Sequence, residues 1–343
     1  MSKVSYKDAG VNIDAGNDAV DRIKENVKST FTKNVLTGIG SFGSLFNLKA
    51  ILKEYNDPVL VQSIDGVGTK TIIARKLQKY DTIGIDLLSA CANDILVMGA
   101  KPLTFLDYIA NEKLHPGIIE EIVSGMVQGC RETGVSLVGG ETAEMPDTYL
   151  KGEHDLVGII TGIVEKDKII TGEKIQSGDI VLGLPSNGLH TNGYSLARKV
   201  FFDIGNYNVN DEIPGLNKSV GLTLLEPHIN YTKHVLELLN SNIPVKGIAH
   251  ITGGGLLENI PRILPDGLSV TIKKKSWPYL PVFSCIQSIG EIEQKEMFRT
   301  FNMGIGMVFV LDKEHIRAVK TALEKHSKVY ELVVLLQGIK LYG

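Results

Sequence analysis

Acidic residues, glycines and a lysine occur together at the end of an apolar run early in the chain. Residues 63–70 read S-I-D-G-V-G-T-K, which places Asp65 and Lys70 around two glycines and a hydroxyl. A carboxylate can ligate a divalent cation, glycine amides can meet phosphate oxygens, and an ammonium can neutralise them. The alternative is a tight turn that ends a strand. We favour a phosphate and metal site, because a lysine at the end of such a turn is not expected to contribute to folding.

Two more acids lie on a helix predicted for residues 82–98. Asp86 and Asp94 are separated by about two helical turns, so their carboxylates share one face of an otherwise apolar helix. Charged side chains are rarely buried without partners, which favours metal ligands. The alternative is that this helix face is simply solvated.

A third acidic position follows a strand predicted for residues 135–138. Residues 139–146 read G-G-E-T-A-E-M-P, which predicts a glycine turn that carries Glu141 and Glu144. Glu141 is the better metal-ligand candidate because it is nearer to the strand end. For Glu144, the sequence leaves a ligand role and a structural role equally open.

A glycine-rich stretch at residues 38–43, G-I-G-S-F-G, matches the dinucleotide fingerprint G-x-G-x-x-G. That fingerprint must follow a buried strand, and residues 30–37 are too polar for one, which disfavours a dinucleotide site. Consecutive unhindered amides favour a phosphate loop instead, with a plain turn as the alternative. The predicted ATP- and phosphate-binding residues are therefore Gly38, Gly40, Ser41, Gly43, Gly66, Gly68, Thr69, Lys70, Gly139 and Gly140.

The second half of the chain contains two more glycine-flanked polar segments. In residues 187–194, N-G-L-H-T-N-G-Y, His190 could be a base, a phosphate donor or an ordinary loop histidine. Residues 250–255, H-I-T-G-G-G, precede a helix-like segment and indicate an anion site. In residues 297–306, a buried hydrophobic turn explains the aromatic and methionine residues, but Arg299 and Asn302 are less easily explained in that way.

Length and composition limit the possible classes of protein. A chain of 343 residues suits two domains, and a net charge of −3 gives no reason to expect nucleic-acid or membrane binding. Three cysteines without a C-x-x-C pair argue against a disulfide framework. The first residues show no apolar signal-peptide core, and no apolar run approaches the roughly 20 residues of a membrane span. We expect a cytoplasmic protein.

Apolar patterns predict alternating strands and helices in the first half, with strands at residues 58–64 and 103–109 and a helix with one apolar stripe that opens at Pro116 and closes at Gly134. In the second half they predict a helix at residues 195–202 and a strand at 267–273. A charged stretch at residues 165–168 predicts the domain boundary. The predicted domains are 1–167 and 168–343. The Walker A, G-x-S-x-G and H-E-x-x-H patterns do not occur in the sequence, so a common P-loop, a hydrolase triad and a zinc site lack support. Acids on glycine turns in one half, with anion loops in both, suit a nucleotide with divalent cations plus a second phosphorylated ligand.

Several long motifs, taken in order, resemble one family. They are Y-K-D-A-G-V at residues 6–11, D-G-V-G-T-K at 65–70, Asn93-Asp94, and the segments 139–146, 250–255 and 297–307. The chain is similar over essentially its full length to the phosphoribosylformylglycinamidine cyclo-ligases, also called aminoimidazole ribonucleotide synthetases. These enzymes close formylglycinamidine ribonucleotide to aminoimidazole ribonucleotide in purine biosynthesis, with ATP and Mg²⁺, and release ADP and phosphate.

The resemblance implies a fold and a set of roles. The fold class is α+β or α/β, with two mixed α/β domains, and the N-terminal sheets of two chains pair into a barrel-like homodimer core near which ATP binds. Mg²⁺ is held by Asp65, Asp94 and Glu141, with Asp86 a weaker candidate. Lys70 and His190 are the implied catalytic residues, and the loop at residues 38–43 closes over the nucleotide. The implied substrate residues are His190, Asn192, His250, Gly253, Gly254, Gly255 and Asn302.

Two other classes remain open at this point. One is another ATP-dependent enzyme of the same superfamily, similar to thiamine-monophosphate kinase or selenophosphate synthetase. The latter typically uses an N-terminal reactive cysteine, and the first cysteine here is Cys91. The other class is a non-catalytic nucleotide-binding protein, like the maturation factors of that superfamily. Phosphate release from ATP that depends on the amidine substrate separates the three.

Overall fold

The computed structural model describes residues 4–273, 275–334 and 336–337. The chain divides into two compact units. Unit 1 comprises Met1–Ala92 and Pro102–Lys166, and unit 2 comprises Asn93–Lys101 and Asp167–Gly343. Each is a mixture of helices and strands around its own four-stranded sheet. Among the described residues, no helix combines the length and apolar character needed to cross a bilayer.

Unit 1 alternates helices and strands, as the sequence predicts. Its elements are α1 (Ile13–Lys28), β1 (Pro58–Gly66), α2 (Thr71–Leu77), α3 (Asp81–Leu96, whose last residues belong to unit 2), β2 (Lys101–Asn111), α4 (Pro116–Thr133), β3 (Ser136–Glu144) and β4 (His154–Glu165). The strand order is β1-β4-β2-β3. The β1–β4 pair is antiparallel and the β2–β3 pair is parallel, so the sheet is mixed.

One face of this sheet is covered by helices that approach closely through glycines. A Cβ on Gly84 of α3 would lie 2.0 Å from the carbonyl oxygen of Ile122 in α4, so only glycine permits this crossing. Beneath α3, Gly158 of β4 leaves room for the ring of Phe105 and the thiol of Cys91. The predicted apolar stripe of α4 is buried as expected, and that helix ends at Gly134 in the left-handed conformation.

The opposite face of the unit 1 sheet is apolar but exposed. Ile64 on β1 stands directly across from Ile159 on β4, and the two are 65% and 37% exposed. Leu60 and Leu106 are also exposed, and Leu106 follows the buried Phe105 in the alternation along β2. Exposed apolar side chains on one sheet face are unusual for a surface that stays in water.

Unit 2 is built on an antiparallel sheet. Its elements are β5 (Ile180–Pro185), α5 (Tyr194–Arg198), α6 (Val220–Leu224), α7 (Thr232–Asn240), β6 (Gly247–His250), α8 (Gly255–Asn259), β7 (Leu268–Ser269), α9 (Pro281–Gly290), α10 (Gln294–Thr300), β8 (Ile305–Leu311), α11 (Ile316–Leu323), β9 (Tyr330–Val334) and β10 (Leu336–Gln337). The main sheet has the order β6-β8-β5-β9, and β7 pairs separately with β10. The unit's core includes Leu182 and Phe309 from the sheet and Val235 and Val319 from α7 and α11.

Some local expectations for unit 2 are wrong. Within the described residues, the strand predicted for 267–273 is formed only at Leu268–Ser269, which pair with Gln337 and Leu336 of β10. The helix predicted for residues 195–202 changes into a π-helical turn at Lys199–Ile204. The helices α9 and α10 and the strands β6 and β9 are not predicted by the sequence patterns at all.

Candidate functional site

The segment with the D-G-V-G-T-K motif forms the exposed end of β1 and a short turn in unit 1. Gly66 donates its amide to Asp65 Oδ1 at 2.7 Å, and Gly68 has a left-handed φ of +64° at the start of a 3-10 turn. Gly68 and Thr69 are exposed, and a Cβ on Gly68 would meet no atom within 4 Å. This open backbone is what the sequence predicts for a phosphate-binding turn.

Lys70, which the sequence predicts as a phosphate contact, is buried beneath the turn and pairs with a carboxylate. Its side chain is fully buried, and its ammonium contacts Asp86 at 2.8 and 2.9 Å. The expectation that this lysine contributes nothing to folding is therefore wrong, because removal of either partner leaves an uncompensated buried charge. The alternative of a solvated helix face around Asp86 is wrong as well, since Asp86 is 0% exposed.

The predicted metal ligands do not form one cluster. Asp65 is on β1 and Glu141 on β3, which are separated by β4 and β2, so about 14 Å of sheet lies between them at the usual strand spacing. Asp94 belongs to unit 2. Within the described part of the chain, no three His, Cys, Asp or Glu side chains come close enough to hold a metal ion together. The donor chemistry still suits Mg²⁺, which binds one or two carboxylates and completes its shell with phosphates and water.

The predicted glycine turn at residues 139–141 is instead part of strand β3. The strand continues to Glu144 because it pairs in parallel with β2, with a register shift at Phe105 and Leu106. A Cβ on Gly140 would lie 2.2 Å from Asp107 Oδ1, so this glycine makes room for a carboxyl on the neighbouring strand. Glu141 itself is exposed and pairs with Tyr108.

Asp107 is an acid that the motifs did not indicate. It is partly buried, and burial together with the charge of Glu141 raises the pKa of Asp107 to about 7. The sequence around Asp107 contains no glycine or acid motif. The charge that helps to raise its pKa is on Glu141, which lies on the neighbouring parallel strand β3.

For Glu144 and for the loop at residues 38–43, the sequence left two interpretations open, and the contacts of each bear on them. Glu144 accepts the backbone N–H of Asn12 at 2.5 Å and of Leu114 at 2.9 Å, and so ties together two distant segments. These contacts favour the structural role.

The loop at residues 38–43 forms the exposed tip of a turn, which is closed by the Leu36 N–H donating to the Leu45 carbonyl at 2.8 Å. Cβ atoms on Gly38, Gly40 and Gly43 would meet no atom within 4 Å.

In unit 2, His190 has a strained backbone and a buried ring. It is a non-glycine residue with a left-handed φ of +61°, a conformation that costs energy and that is often found at functional sites. Its side chain is 0% exposed. A Cβ on Gly306 of β8 would lie 2.6 Å from His190 Cε1, so glycine there provides the space for the imidazole.

The structure brings His250 together with Asp94. The His250 ring at the end of β6 lies with Nδ1 2.9 Å from Asp94 Oδ1, and the two side chains are 3% and 34% exposed. A carboxylate at Nδ1 fixes the ring orientation and tautomer of a histidine. Asp94, predicted only as a metal ligand, is therefore also the contact partner of His250.

The other predicted substrate residues differ in how they are used. Asn302 is buried, donates to the Gly188 carbonyl at 2.9 Å and accepts from Ser186 Oγ and the Gly304 amide at 2.8 Å each. Asn302 thus holds the 186–188 segment against β8. A Cβ on Gly253 would lie 3.4 Å from Asn192 Oδ1, so these two predicted residues are neighbours.

Gly254 and Gly255 follow Gly253, and the backbone conformation and close packing there leave little room for a side chain. Gly254 and Gly255 have left-handed φ values of +94° and +57°. A Cβ on Gly255 would lie 2.1 Å from the Phe298 carbonyl oxygen. The expectation of an anion site here stays a prediction.

One residue next to His190 and His250 in unit 2, His228, escaped the sequence patterns, and Asn93 was named there only as part of the Asn93-Asp94 motif. His228, 2% exposed, has its ring stacked on His190, with centroids 4.0 Å apart. Asn93 donates to the Ile229 carbonyl at 2.9 Å and accepts from the Tyr231 amide at 2.9 Å. His228 lies between Pro227 and an apolar residue, so only its proximity to the other histidines in space identifies it.

The sequence matches a known family over both units. Residues 48–164 match the family described as AIR synthase related protein, N-terminal domain, and residues 176–333 match AIR synthase related protein, C-terminal domain. A relative from Geotalea daltonii named phosphoribosylformylglycinamidine cyclo-ligase is 52% identical over 318 residues, which cover 93% of this chain and 90% of the relative. A protein of the same name from Alkaliphilus oremlandii is 50% identical over 331 residues, which cover 96% of each chain.

Solved structures with the same fold have different printed names. Thiamine-monophosphate kinase from Stenotrophomonas maltophilia superposes with a TM-score of 0.69 at 18% identity, and covers 92% of this chain and 94% of its own. The hydrogenase maturation protein HypE from E. coli superposes with a TM-score of 0.64 at 16% identity, and covers 93% of both chains. At these identities the likeness concerns the fold alone.

Proposed function

The chain belongs to the phosphoribosylformylglycinamidine cyclo-ligase family, and we propose how its two units divide the reaction of that family. It is an ATP-dependent ligase of purine biosynthesis that converts formylglycinamidine ribonucleotide to 5-aminoimidazole ribonucleotide, with release of ADP and phosphate. Relatives that are about half identical over more than nine-tenths of the chain carry this conclusion. We also propose the cytoplasm as its location, since ATP and the ribonucleotide substrate are metabolites of that compartment.

The chemistry follows from the poor leaving ability of an amide oxygen. Transfer of the γ-phosphoryl group of ATP to the formyl oxygen gives an iminophosphate, in which that oxygen leaves readily as phosphate. The amidine nitrogen then attacks the same carbon, phosphate departs, and the imidazole ring closes. The protein has to hold the triphosphate, align the donor with the acceptor and exclude water.

In unit 1 we propose that the open backbone of residues 66–69 and the exposed loop at residues 38–43 bind the ATP phosphates. Gly139 and Gly140 remain proposed phosphate contacts. Mg²⁺ when bound neutralises the triphosphate and polarises the transferred group. Asp65 and Glu141 would each hold a separate ion together with phosphate oxygens, because the sheet keeps the two carboxylates too far apart to share one ion. The buried Lys70 supports the loop from beneath through Asp86.

In unit 2 we propose that the imidazoles and nearby amides bind the amidine substrate and move its protons. The contact between His250 and Asp94 supports this role, because it joins the buried ring of His250 to Asp94, whose side chain is 34% exposed and so accessible to a substrate. Asn192 and the turn Gly253–Gly255 are the proposed contacts to the substrate phosphate. His190 remains the proposed proton-transfer group together with His250, and Asn302 supports the loop that carries His190.

We propose that two chains pair through the exposed apolar face of the unit 1 sheet. Ile64 and Ile159 stand across from each other on that face, with Leu60 and Leu106 beside them. Burial of such side chains contributes about 25 cal/mol for each Å² removed from water. A second sheet of the same kind is a matching surface, and two sheets face to face give the barrel-like core of a homodimer.

Sedimentation or light scattering tests the dimer. The wild-type protein should have twice the 37.4 kDa mass of the chain. Ile64→Lys should give the monomer mass, because a buried unpaired charge is costly. Leu150→Lys is the control, since Leu150 is 78% exposed in the same unit and should leave the mass unchanged. A dimer that survives Ile64→Lys would contradict the proposed interface.

Release of ADP tests the activity. The purified protein is incubated with Mg²⁺-ATP, with and without formylglycinamidine ribonucleotide, and ADP and the aminoimidazole product are measured. We expect ADP only with the amidine, in equal amount to the aminoimidazole. Equal ADP release without the amidine would point to another acceptor, and ATP binding without release would point to a non-catalytic protein.

A further inference from the structure

One buried asparagine in unit 2 binds the carbonyl groups of the glycine turn that follows β6. Asn259, the last residue of α8, is 3% exposed. Its Nδ2 donates to the carbonyl oxygens of Gly255 at 2.8 Å, Gly253 at 3.1 Å and Thr252 at 3.3 Å. Its Oδ1 accepts from Thr252 Oγ1 at 3.3 Å. A single side chain therefore satisfies three carbonyl groups of one turn and the hydroxyl at its start.

These contacts determine where the N–H groups of the turn point. In a planar trans peptide, a carbonyl group and the N–H group of the next residue point in opposite directions. The Thr252 carbonyl points at the buried Asn259, so the Gly253 N–H points away from it. The Gly253 carbonyl does the same, which turns the Gly254 N–H outward as well. Among the described residues, neither of these two N–H groups donates a hydrogen bond, and Gly253 is exposed.

The outward N–H groups lie beside a side chain that is already a proposed contact to the substrate phosphate. A Cβ on Gly253 would be 3.4 Å from Asn192 Oδ1. One acid is also close, since a Cβ on Gly254 would be 2.9 Å from Glu258 Oε2. The other oxygen of that carboxylate accepts from Arg299 Nε at 2.7 Å. The guanidinium thus compensates a negative charge that would otherwise oppose an anion at the turn.

We propose that Asn259 is a positioning residue for substrate binding, which holds the turn so that the N–H groups of Gly253 and Gly254 face the phosphate of the ribonucleotide. The inference rests on the proposed function, in which this turn contacts the substrate phosphate. Successive backbone N–H groups that point the same way form a concavity that binds anions. Without Asn259 these peptide planes are free to rotate, and binding has to order them first. Asn259 is buried behind the turn and acts through the backbone alone.

Comparison of a substrate with and without its phosphate isolates this contribution. The probes are formylglycinamidine ribonucleotide and the corresponding riboside, and calorimetry measures their affinities for the full-length protein. We expect the wild type to prefer the ribonucleotide by about 100-fold, since hydrogen bonds to a charged group are strong. Asn259→Asp keeps the shape of the side chain but removes its N–H donors. It should lose at least about 10-fold of that preference and leave the affinity for the riboside nearly unchanged.

Two further variants keep the test decisive if Asn259→Asp folds poorly. Asn259→Ser keeps one donor in a smaller side chain and should lose an intermediate part of the preference, about 3-fold. Asn111→Asp is the matched control, because Asn111 is a fully buried asparagine of unit 1 whose Nδ2 donates to the Ala143 carbonyl at 3.1 Å. It should leave the preference for the ribonucleotide unchanged, whatever its effect on the melting temperature.

The outcomes separate this inference from the proposed function. Equal loss of affinity for both probes in Asn259→Asp, or an unchanged preference in both Asn259 variants, would overturn the positioning role. A wild type without a preference for the ribonucleotide would overturn that role together with the phosphate contact of the turn. If the wild type releases no ADP with the amidine, yet shows the preference and loses it in Asn259→Asp, the positioning role stands and the proposed function fails.

Discussion

The two units present their functional groups in opposite ways. Unit 1 presents a glycine-rich turn and an acid at a strand end, with Gly68 and Thr69 open to solvent and Val67 and Lys70 buried. Unit 2 buries its groups, and only Asp94 of the array with His190, His228 and His250 is substantially exposed. Backbone amides can bind an anion at the surface, where phosphates arrive hydrated. Imidazoles that move protons gain from a fixed, dry setting.

The comparison also shows where each unit is most sensitive to substitution. In unit 1 the critical side chains are buried charges that support an exposed turn. In unit 2 they are buried imidazole rings that contact one another. We therefore expect substitutions beneath the unit 1 turn to lower stability most, and substitutions within the unit 2 array to lower activity most.

The largest effect on stability is expected at the buried pair of Lys70 and Asp86. Lys70→Met should lower the free energy of unfolding by about 3–5 kcal/mol, because Asp86 is left buried without its partner. The double variant Lys70→Met/Asp86→Leu should recover most of that loss, since both charges are then absent. Urea unfolding followed by circular dichroism measures both.

An exposed pair in the same unit serves as the control. Lys79 and Asp81 are also 2.8 Å apart, but their side chains are 42% and 51% exposed. Lys79→Met should cost less than about 1 kcal/mol. If Lys70→Met costs no more than Lys79→Met, the pair does not support the turn.

A smaller effect separates two acids on the same strand. Glu144→Gln should lower the free energy of unfolding by about 1–3 kcal/mol, because one of two backbone amides loses its charged acceptor. Glu141→Gln should leave stability nearly unchanged and reduce turnover, since Glu141 is exposed and is a proposed Mg²⁺ ligand. Thermal melting and ADP release distinguish them. Equal loss of stability in both variants would remove the distinction.

The smallest effect is a pH dependence that both units should share. Burial lowers the pKa of His154 in unit 1 and of His234 in unit 2 to about 4. These rings are neutral when folded, while the unfolded chain binds protons below about pH 6.5. Each histidine therefore supports folding above that pH, and the contribution is lost as the pH falls toward 4.

Substitution of either histidine should weaken that pH dependence. Between pH 7 and 5.5 each accounts for a loss of about 1 kcal/mol in the free energy of unfolding. His154→Gln, which keeps a donor for Asn111 Oδ1, and His234→Leu should each reduce the decline measured by urea unfolding at several pH values. An unchanged decline in both would contradict the lowered pKa values.

The sequence predicts well what local patterns determine. The strands β1 and β2, the helices α3 and α4 and the exposed turn at Gly68 follow from apolar periodicity, capping and glycine. Position in the chain does not show which residues from distant segments come into contact. The pairing of Lys70 with Asp86, of Gly140 with Asp107 and of Asn93 with His228 arises only when separate elements pack.

The same limit explains the errors. The glycine turn expected at Gly139 became strand because β2 supplied a parallel partner. The strand expected at residues 267–273 is found only at Leu268–Ser269 among the described residues, where it pairs with the distant segment Leu336–Gln337. Isolated residues without glycine or acid neighbours, such as His228, carry no local signal, and their importance depends on three-dimensional proximity.

A crossed binding experiment tests the division of labour between the units most directly. The affinities of a non-hydrolysable ATP analogue with Mg²⁺ and of formylglycinamidine ribonucleotide are measured by calorimetry for Asp65→Asn and His250→Gln. We predict that Asp65→Asn loses at least 10-fold in nucleotide affinity and keeps amidine affinity within about 2-fold, and that His250→Gln does the reverse. Loss of both ligands in one variant, or of neither in both, would contradict the account.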